Sequence, residues 1–144
     1  MIVHRLLTSL RNFIFRWSLS EKTLFLEAVT TQLGVKLFLL IIPFKSCLRW
    51  FPPAQEETRN SSQDEVLKAI RKAVRRSGKL VSWKNQCLVL GFTARIMLKR
   101  RGIHSSIILG ANKNVAQWNM HAWVESRGIE ITPMNGNFQA LHRF

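Results

Sequence analysis

Helical periodicity in the middle of this sequence gives way to strand-like alternation in its last third. One helix is predicted at about residues 63–78, because Ser62 and Glu65 form a capping box and apolar side chains recur on one face. A second helix is predicted at about 85–101, with basic residues in its last turn and Gly102 as its C-terminal cap. The core of the chain is therefore expected to begin with two helices.

Strand-like segments follow the second helix, at residues 105–109, 115–125 and 129–132. Turns are predicted between them, at residues 111–114 and at Arg127-Gly128. Two helices followed by an antiparallel meander make an α+β fold.

An N-terminal helical layer is predicted to pack on this core. Ser20 marks the predicted start of its main helix, and Pro43 is a break near its end. The longest apolar run, residues 35–44, is interrupted by Lys36 and is too short to span a bilayer. Basic residues surround the layer, so contact with a membrane surface is an open alternative. These basic residues are Arg11, Arg16, Lys36, Lys45 and Arg49.

A polar linker is predicted between the helical layer and the core. Pro52 and Pro53 precede a stretch that is rich in polar residues and contains two glutamates. The predicted division is an N-terminal helical segment at 1–53, a linker at 54–63 and the core at 64–144.

The charge and the rarity of aspartate limit the chemistry. The 144 residues include 22 Lys and Arg against 8 Asp and Glu, a net charge of +14 that predicts an acidic partner without identifying it. Asp64 is the only aspartate, which excludes aspartate-based two-metal catalysis and calcium loops. Two cysteines make no disulfide framework, and no Cys/His spacing is typical of zinc, so no metal or cofactor is expected. With no secretory signal pattern, the prediction is a cytoplasmic protein, with membrane association open.

Cys87 and His121 are candidates for a nucleophile and its base. Cys87 falls at the start of the second core helix, where the helix dipole favours a thiolate and free N–H groups can hold an oxyanion. His121 follows 34 residues later, in a predicted strand. By spacing alone, however, a structural cysteine and a hydrogen-bonded histidine explain the pair better.

The residues around this pair are more specific. The segments WKNQCL at 83–88, LKRRGI at 98–103 and HAWVE at 121–125 together resemble the transglutaminase-like leader peptidases of lasso-peptide biosynthesis, which belong to the papain-like cysteine peptidase superfamily. The resemblance covers about 67–144, and the helical layer more loosely. It implies a transglutaminase-like or papain-like core with the cysteine on a helix N-terminus and the histidine on an antiparallel sheet.

The resemblance also implies an activity and partners. The chain would remove the leader from a lasso-peptide precursor by acyl-enzyme hydrolysis, with Cys87 as nucleophile and His121 as acid and base. A separate leader-recognition protein and a macrolactam-forming lasso cyclase would work with it.

The aspartate that completes the triad in that family has no counterpart here. Its usual position, about a dozen residues after the histidine, is occupied by Pro133, and no Asp follows Cys87. Glu125 and Glu130 would face each other four positions along the ladder from His121, about 13 Å away, too far to orient its ring.

Asn135 is then the best candidate for the third member, since a Cys-His-Asn set suffices in papain-like enzymes. Thr132 is the second candidate, and a simple turn at Asn135-Gly136 is equally compatible with the sequence. Gln86 and Trp83 could donate to an oxyanion and line a peptide groove, or could cap the helix and fill the core.

Two other functions remain open. The same fold could transfer the acyl group to an amine, as transglutaminases do. Alternatively, the chain could be a non-catalytic basic module that binds acidic peptide or nucleic acid, with Cys87 and His121 vestigial. Nucleic acid is not expected under the peptidase hypothesis.

Overall fold

The computed structural model describes residues 7–8, 11, 15–49, 61–80, 86–114 and 117–144. Its helices are α1 (Leu19–Ile41), α2 (Phe44–Leu48), α3 (Ser61–Gly78) and α4 (Gln86–Lys99). Its strands are β1 (Ser106–Asn114), β2 (Gln117–Ser126), β3 (Ile129–Glu130) and β4 (Gln139–Arg143). This mixture of helices with one antiparallel sheet confirms the predicted α+β class.

The strands pair antiparallel in the order β3-β2-β1-β4. β1 and β2 form a continuous ladder from Ser106 opposite Glu125 to Asn114 opposite Gln117. Residues 111–114 therefore belong to β1, and the predicted turn there is wrong. The fourth strand was not predicted. Every residue of β4 is exposed, so neither face is buried and its sequence lacks the alternation of apolar and polar residues that marks a half-buried strand.

The first long helix starts earlier than predicted. Ser18, not Ser20, is its N-cap: the Ser18 hydroxyl accepts from the Glu21 N–H, and the Glu21 carboxylate accepts from the Ser18 N–H, each at 3.2 Å. This reciprocal pair is a capping box, which outweighs the single serine two residues later. The helix ends at Ile41, before Pro43, as the sequence predicts.

The core helices match their predicted positions within about two residues. α3 starts at Ser61, so residues 61–63 of the predicted linker are helical, while 54–60 lie outside the described residues. α4 ends at Lys99, and Gly102, which follows it with a left-handed φ of 66°, turns the chain so that the Ile103 N–H donates to the Leu98 carbonyl at 3.0 Å. This is the glycine cap expected from the sequence.

One hydrophobic core joins the helical layer to the sheet. α1 packs on α3 and α4, and α4 packs on β2. The buried side chains of the shared core include Ala28, Val35, Leu67, Ile70, Val74, Val89, Met97, Leu98, Ile107 and Val124. The Gln32 side-chain amide also donates a hydrogen bond to the Ser77 hydroxyl, which joins α1 to α3. The layer is therefore part of the folded unit that carries the candidate residues.

Candidate active site

Cys87 is the second residue of α4 and is half-buried, with a free thiol. The preceding Gln86 donates its side-chain amide to the carbonyl of Gly78, the last residue of α3. A methyl group on Gly78 would lie 2.9 Å from Leu90 Cδ1, so the Leu90 side chain of α4 packs directly on the end of α3. The end of α3 therefore closes on the start of α4 and fixes where the thiol emerges. Trp83, the predicted groove residue, lies outside the described residues.

His121 is half-buried on β2, and its ring has a defined partner. The Nε2 atom lies 2.8 Å from the Pro133 carbonyl oxygen. Because a carbonyl oxygen can only accept, Nε2 carries the proton of this bond, and Nδ1 keeps the lone pair in the neutral ring. The ring also stacks against Phe138, with centroids 5.0 Å apart, and against Trp123, with centroids 6.4 Å apart. The histidine is thus oriented with Nδ1 as its proton acceptor.

The residues proposed for the third triad position have other surroundings. Asn135 is exposed in a turn with Gly136, at φ 47°, and the described residues contain no hydrogen bond between Asn135 and His121. The Thr132 hydroxyl accepts from the Val124 N–H at 2.8 Å and extends the edge of β2. The role of Asn135 stays a prediction without support from this geometry.

Sequence reasoning missed the Pro133 carbonyl as the partner of His121. A backbone carbonyl has no residue-type signature, so no search for a polar side chain could find it. The available signal was its position, twelve residues after the histidine, where the resemblance places an aspartate.

The two downstream glutamates are engaged away from His121. Glu125 accepts from the Trp123 indole N–H at 3.0 Å and from Arg143 at 3.1 Å. Glu130 pairs with Arg75 at 3.2 Å. Both carboxylates stabilise packing around the sheet, which agrees with the expectation that neither orients the ring.

Cys87 and His121 lie on neighbouring elements, and the His121 side chain points away from the face of β2 that α4 covers. α4 covers the face of β2 that carries Val124, since a methyl group on Gly91 would lie 3.6 Å from Val124 Cγ2. Cys87 precedes Gly91 by one helical turn, about 6 Å, on the same side of α4. Because side chains alternate along a strand, His121 points to the other face with Trp123. In the part of the chain that the structure describes, no hydrogen bond joins Cys87 to the ring.

Other candidate sites are separate from this pair. A cavity of about 500 Å³ lies between α1, α2 and α4, with Phe38, Cys47 and Phe92 in its lining. Neither Cys87 nor His121 lines that cavity. Among the described residues, no three His, Cys, Asp or Glu side chains cluster as metal ligands.

Comparison with protein families gives the fold a name. The model of the transglutaminase-like superfamily matches residues 30–143, from the middle of α1 to the end of β4. The chain belongs to the transglutaminase-like superfamily. This confirms, at the level of the superfamily, what the motifs around Cys87 and His121 predicted. The transglutaminase-like superfamily includes cysteine peptidases and acyltransferases. Comparison with curated proteins found no match, and comparison with solved structures found none.

Proposed function

We propose that this chain is a cysteine peptidase that removes the leader from a lasso-peptide precursor. The observation that carries the proposal is the superfamily match over residues 30–143, which spans both Cys87 at a helix N-terminus and His121 on an antiparallel strand. The narrower substrate class rests on the resemblance of the three motifs around these residues to lasso leader peptidases.

The chemistry assigns one role to each residue. The Cys87 thiolate attacks the carbonyl at the leader–core junction, and the Cys87 backbone N–H, in the first turn of α4, stabilises the oxyanion. Protonated His121 gives its proton to the departing amine, which breaks the peptide bond and leaves a thioester. The neutral ring then takes a proton from water, and the resulting hydroxide equivalent releases the peptide acid and the free thiol.

The Pro133 carbonyl replaces the usual carboxylate in orienting the ring. It accepts from Nε2 and so directs Nδ1 toward the reaction, as the side-chain acceptor does in a triad. A neutral carbonyl stabilises the imidazolium less than a carboxylate would. A cysteine enzyme tolerates this loss better than a serine enzyme, because a thiol is intrinsically more acidic than a hydroxyl and depends less on the base.

The proposed reaction requires Cys87 and His121 to form a contact, whereas in the described residues no hydrogen bond joins the two side chains. In the described residues, the segment after β3 continues along the edge of β2 to His121: the Ile131 N–H donates to the Val124 carbonyl at 2.8 Å, and the Pro133 carbonyl accepts from the ring. Catalytic hydrogen bonds often tighten only when substrate binds, so we assign the contact between Cys87 and His121 to the precursor held by its leader-recognition protein.

The positive charge supports acidic partners. Lys68, Arg71, Lys72, Arg75, Arg76 and Lys79 line a shallow groove along α3. We infer that the acidic part of a leader, or the leader-recognition protein and the lasso cyclase, meets this basic surface in the cytoplasm. Such a surface would mainly raise the rate of association, and it would do so less at high salt.

Mass spectrometry of a lasso-peptide precursor tests the proposal directly. The wild type, given the leader-recognition protein, is expected to yield a leader and a core whose masses sum to the precursor plus one water. Cys87→Ala and His121→Ala should lower the cleavage rate by at least about 1,000-fold. Cys47→Ala is the matched control, since it removes the other thiol. Cleavage that persists at the wild-type rate in Cys87→Ala would refute the proposal.

One observation favours the non-catalytic alternative. The His121 side chain points away from the face of β2 that is covered by α4, the helix that carries Cys87, as expected for residues without a shared function. A binding module would leave the precursor intact with every variant and still bind it, as measured by fluorescence anisotropy. Acyl transfer on the same fold would instead give a product whose mass includes the added amine.

A further inference from the structure

The long helix α1 has one face in the core and one face in solvent. Its buried residues are Ala28, Thr31, Gln32 and Val35, which lie within one arc of the helix. The opposite arc carries large apolar side chains that are between 47% and 82% exposed. We call these residues the leucine face: Leu19, Leu26, Leu33, Leu37, Leu40 and Ile41.

The two acidic residues of α1 lie off the leucine face. Glu21 and Glu27, the two acidic residues of this helix, both reach inward. Glu21 pairs with Lys72 and Arg76 on α3, and Glu27 pairs with Arg101 at 2.6 Å. These partners lower the pKa of both carboxyl groups, so both stay ionised and paired. The leucine face therefore carries no negative charge.

Positive charges stand beyond both ends of the leucine face. Arg16 precedes α1 and is exposed, and Lys45 and Arg49 follow it and are exposed. An apolar stripe with basic residues at its ends is typical of a helix that lies in the headgroup region of a bilayer. The net charge of +14 adds attraction to anionic lipid.

The rest of the fold excludes a helix that crosses the bilayer. By length and composition alone α1 could span one, with a mean hydropathy of 1.7. However, Ala28 is fully buried and Val35 nearly so, against α3 and α4. The ion pairs of Glu21 and Glu27 also hold α1 against the rest of the fold. A spanning orientation would break this core, whereas a helix lying flat keeps it.

We propose that the leucine face of α1 docks on the surface of an anionic lipid bilayer, with the helix parallel to the membrane plane. Protein–protein hot spots are enriched in Trp, Tyr and Arg, and the six residues of the leucine face include none of these. A lipid surface requires no such anchors. This docking is independent of the chemistry proposed for Cys87.

Vesicle flotation of the full chain tests this docking. The vesicles contain equal parts phosphatidylglycerol and phosphatidylcholine, and pure phosphatidylcholine vesicles serve as the neutral comparison. The wild type should float with the anionic vesicles and much less with the neutral ones. The double variant Leu33→Glu/Leu37→Glu should lose at least about tenfold in bound fraction.

The matched control is Leu80→Glu/Leu141→Glu, which makes the same change at two exposed leucines outside α1. It should float like the wild type, with circular dichroism confirming that both variants fold. Equal loss in both variants would show an effect of charge alone and overturn the proposal, as would a wild type that stays unbound. A lipid-free wild-type oligomer that Leu33→Glu/Leu37→Glu dissociates would also overturn it, because the face would then bind protein.

Discussion

The two cysteines of this chain occupy regions of opposite character. Cys47, on α2, is 1% exposed beside the cavity under α1, and its thiol donates to the Pro43 carbonyl at 3.7 Å. Burial raises the pKa of the Cys47 thiol. Cys87 is half-buried at the positive end of the α4 dipole. A cysteine thiol is therefore shielded from solvent at position 47 and partly accessible to it at position 87, because the surrounding structure differs.

The two regions are also held together differently. The Cys47 side depends on apolar packing and on ion pairs from α1 to α3 and α4, such as Glu27 with Arg101. The region of Cys87 and His121 depends on close contacts of the sheet. There the His121 ring stacks against Trp123 and Phe138 and bonds to the Pro133 carbonyl. Each contact can be tested on its own side.

The largest expected effect is on thiol reactivity. In the native protein near pH 8, iodoacetamide should alkylate Cys87 at least about 100-fold faster than Cys47, because the thiolate is the reactive form and Cys47 is both sealed and raised in pKa. Peptide mapping by mass spectrometry measures both rates. In guanidinium chloride the two rates should become similar. Native modification of Cys47 at the rate of Cys87 would contradict the comparison.

The next effect is on the sheet beside His121. A methyl group on Gly110 would lie 2.6 Å from Trp123 Cζ3 and 2.9 Å from the Gln139 carbonyl oxygen. Gly110→Ala should therefore lower the free energy of unfolding by about 1–3 kcal/mol. Urea denaturation measures this loss.

The matched control for that change is Gly34→Ala on α1, where a methyl group meets nothing within 4 Å. It should raise the free energy of unfolding by about 0.5–1 kcal/mol, because alanine favours a helix interior over glycine. Equal effects at Gly34 and Gly110 would mean that Trp123 does not press on β1.

The sequence predicts the helices better than the sheet, for physical reasons. α3 and α4 carry their own signals, a one-sided apolar pattern and a terminal glycine, and these act within a few residues. β4 pairs with β1 across about thirty residues, and none of its residues is buried. The position of β4 depends on its pairing with β1, and a local sequence pattern does not indicate such a distant pairing.

The candidate site divides in the same way. Cys87 at a helix start follows from the helix pattern, and His121 on a strand follows from alternation. The orienting group does not follow from either, because the Pro133 carbonyl acts through backbone placement. The direction of the His121 side chain relative to α4 likewise depends on how α4 packs on β2, a tertiary contact that single-sequence patterns do not contain.

A smaller effect is expected on the Cys47 side, at Glu27. The hydrogen bond from Arg101 is the main cause that lowers the pKa of Glu27. Its stabilisation is therefore present above the unfolded pKa, about 4.3, and is lost as the pH falls through the lower folded value. Glu27→Gln should cost about 1 kcal/mol at pH 7.

Thermal unfolding of wild type and Glu27→Gln across pH 7 to 3 measures this difference. The gap between the two melting temperatures should close in acid. Glu65→Gln is the control, since its pair with Lys68 is exposed and should contribute little at any pH. A Glu27 gap that persists undiminished at pH 3 would mean that packing, not charge, fastens α1.

The smallest effect is expected at Asn135, on the Cys87 side. If the Pro133 carbonyl orients His121, the Asn135 amide contributes nothing to the ring. Asn135→Gly removes the amide and still suits the positive φ of 47°, whereas alanine there would add strain. Precursor cleavage should proceed within about twofold of the wild-type rate, since no transition-state contact is lost. A loss of about 100-fold would instead mean that the Asn135 side chain contacts the His121 ring during turnover. Residues 133–138 would then have to move to bring the two side chains together.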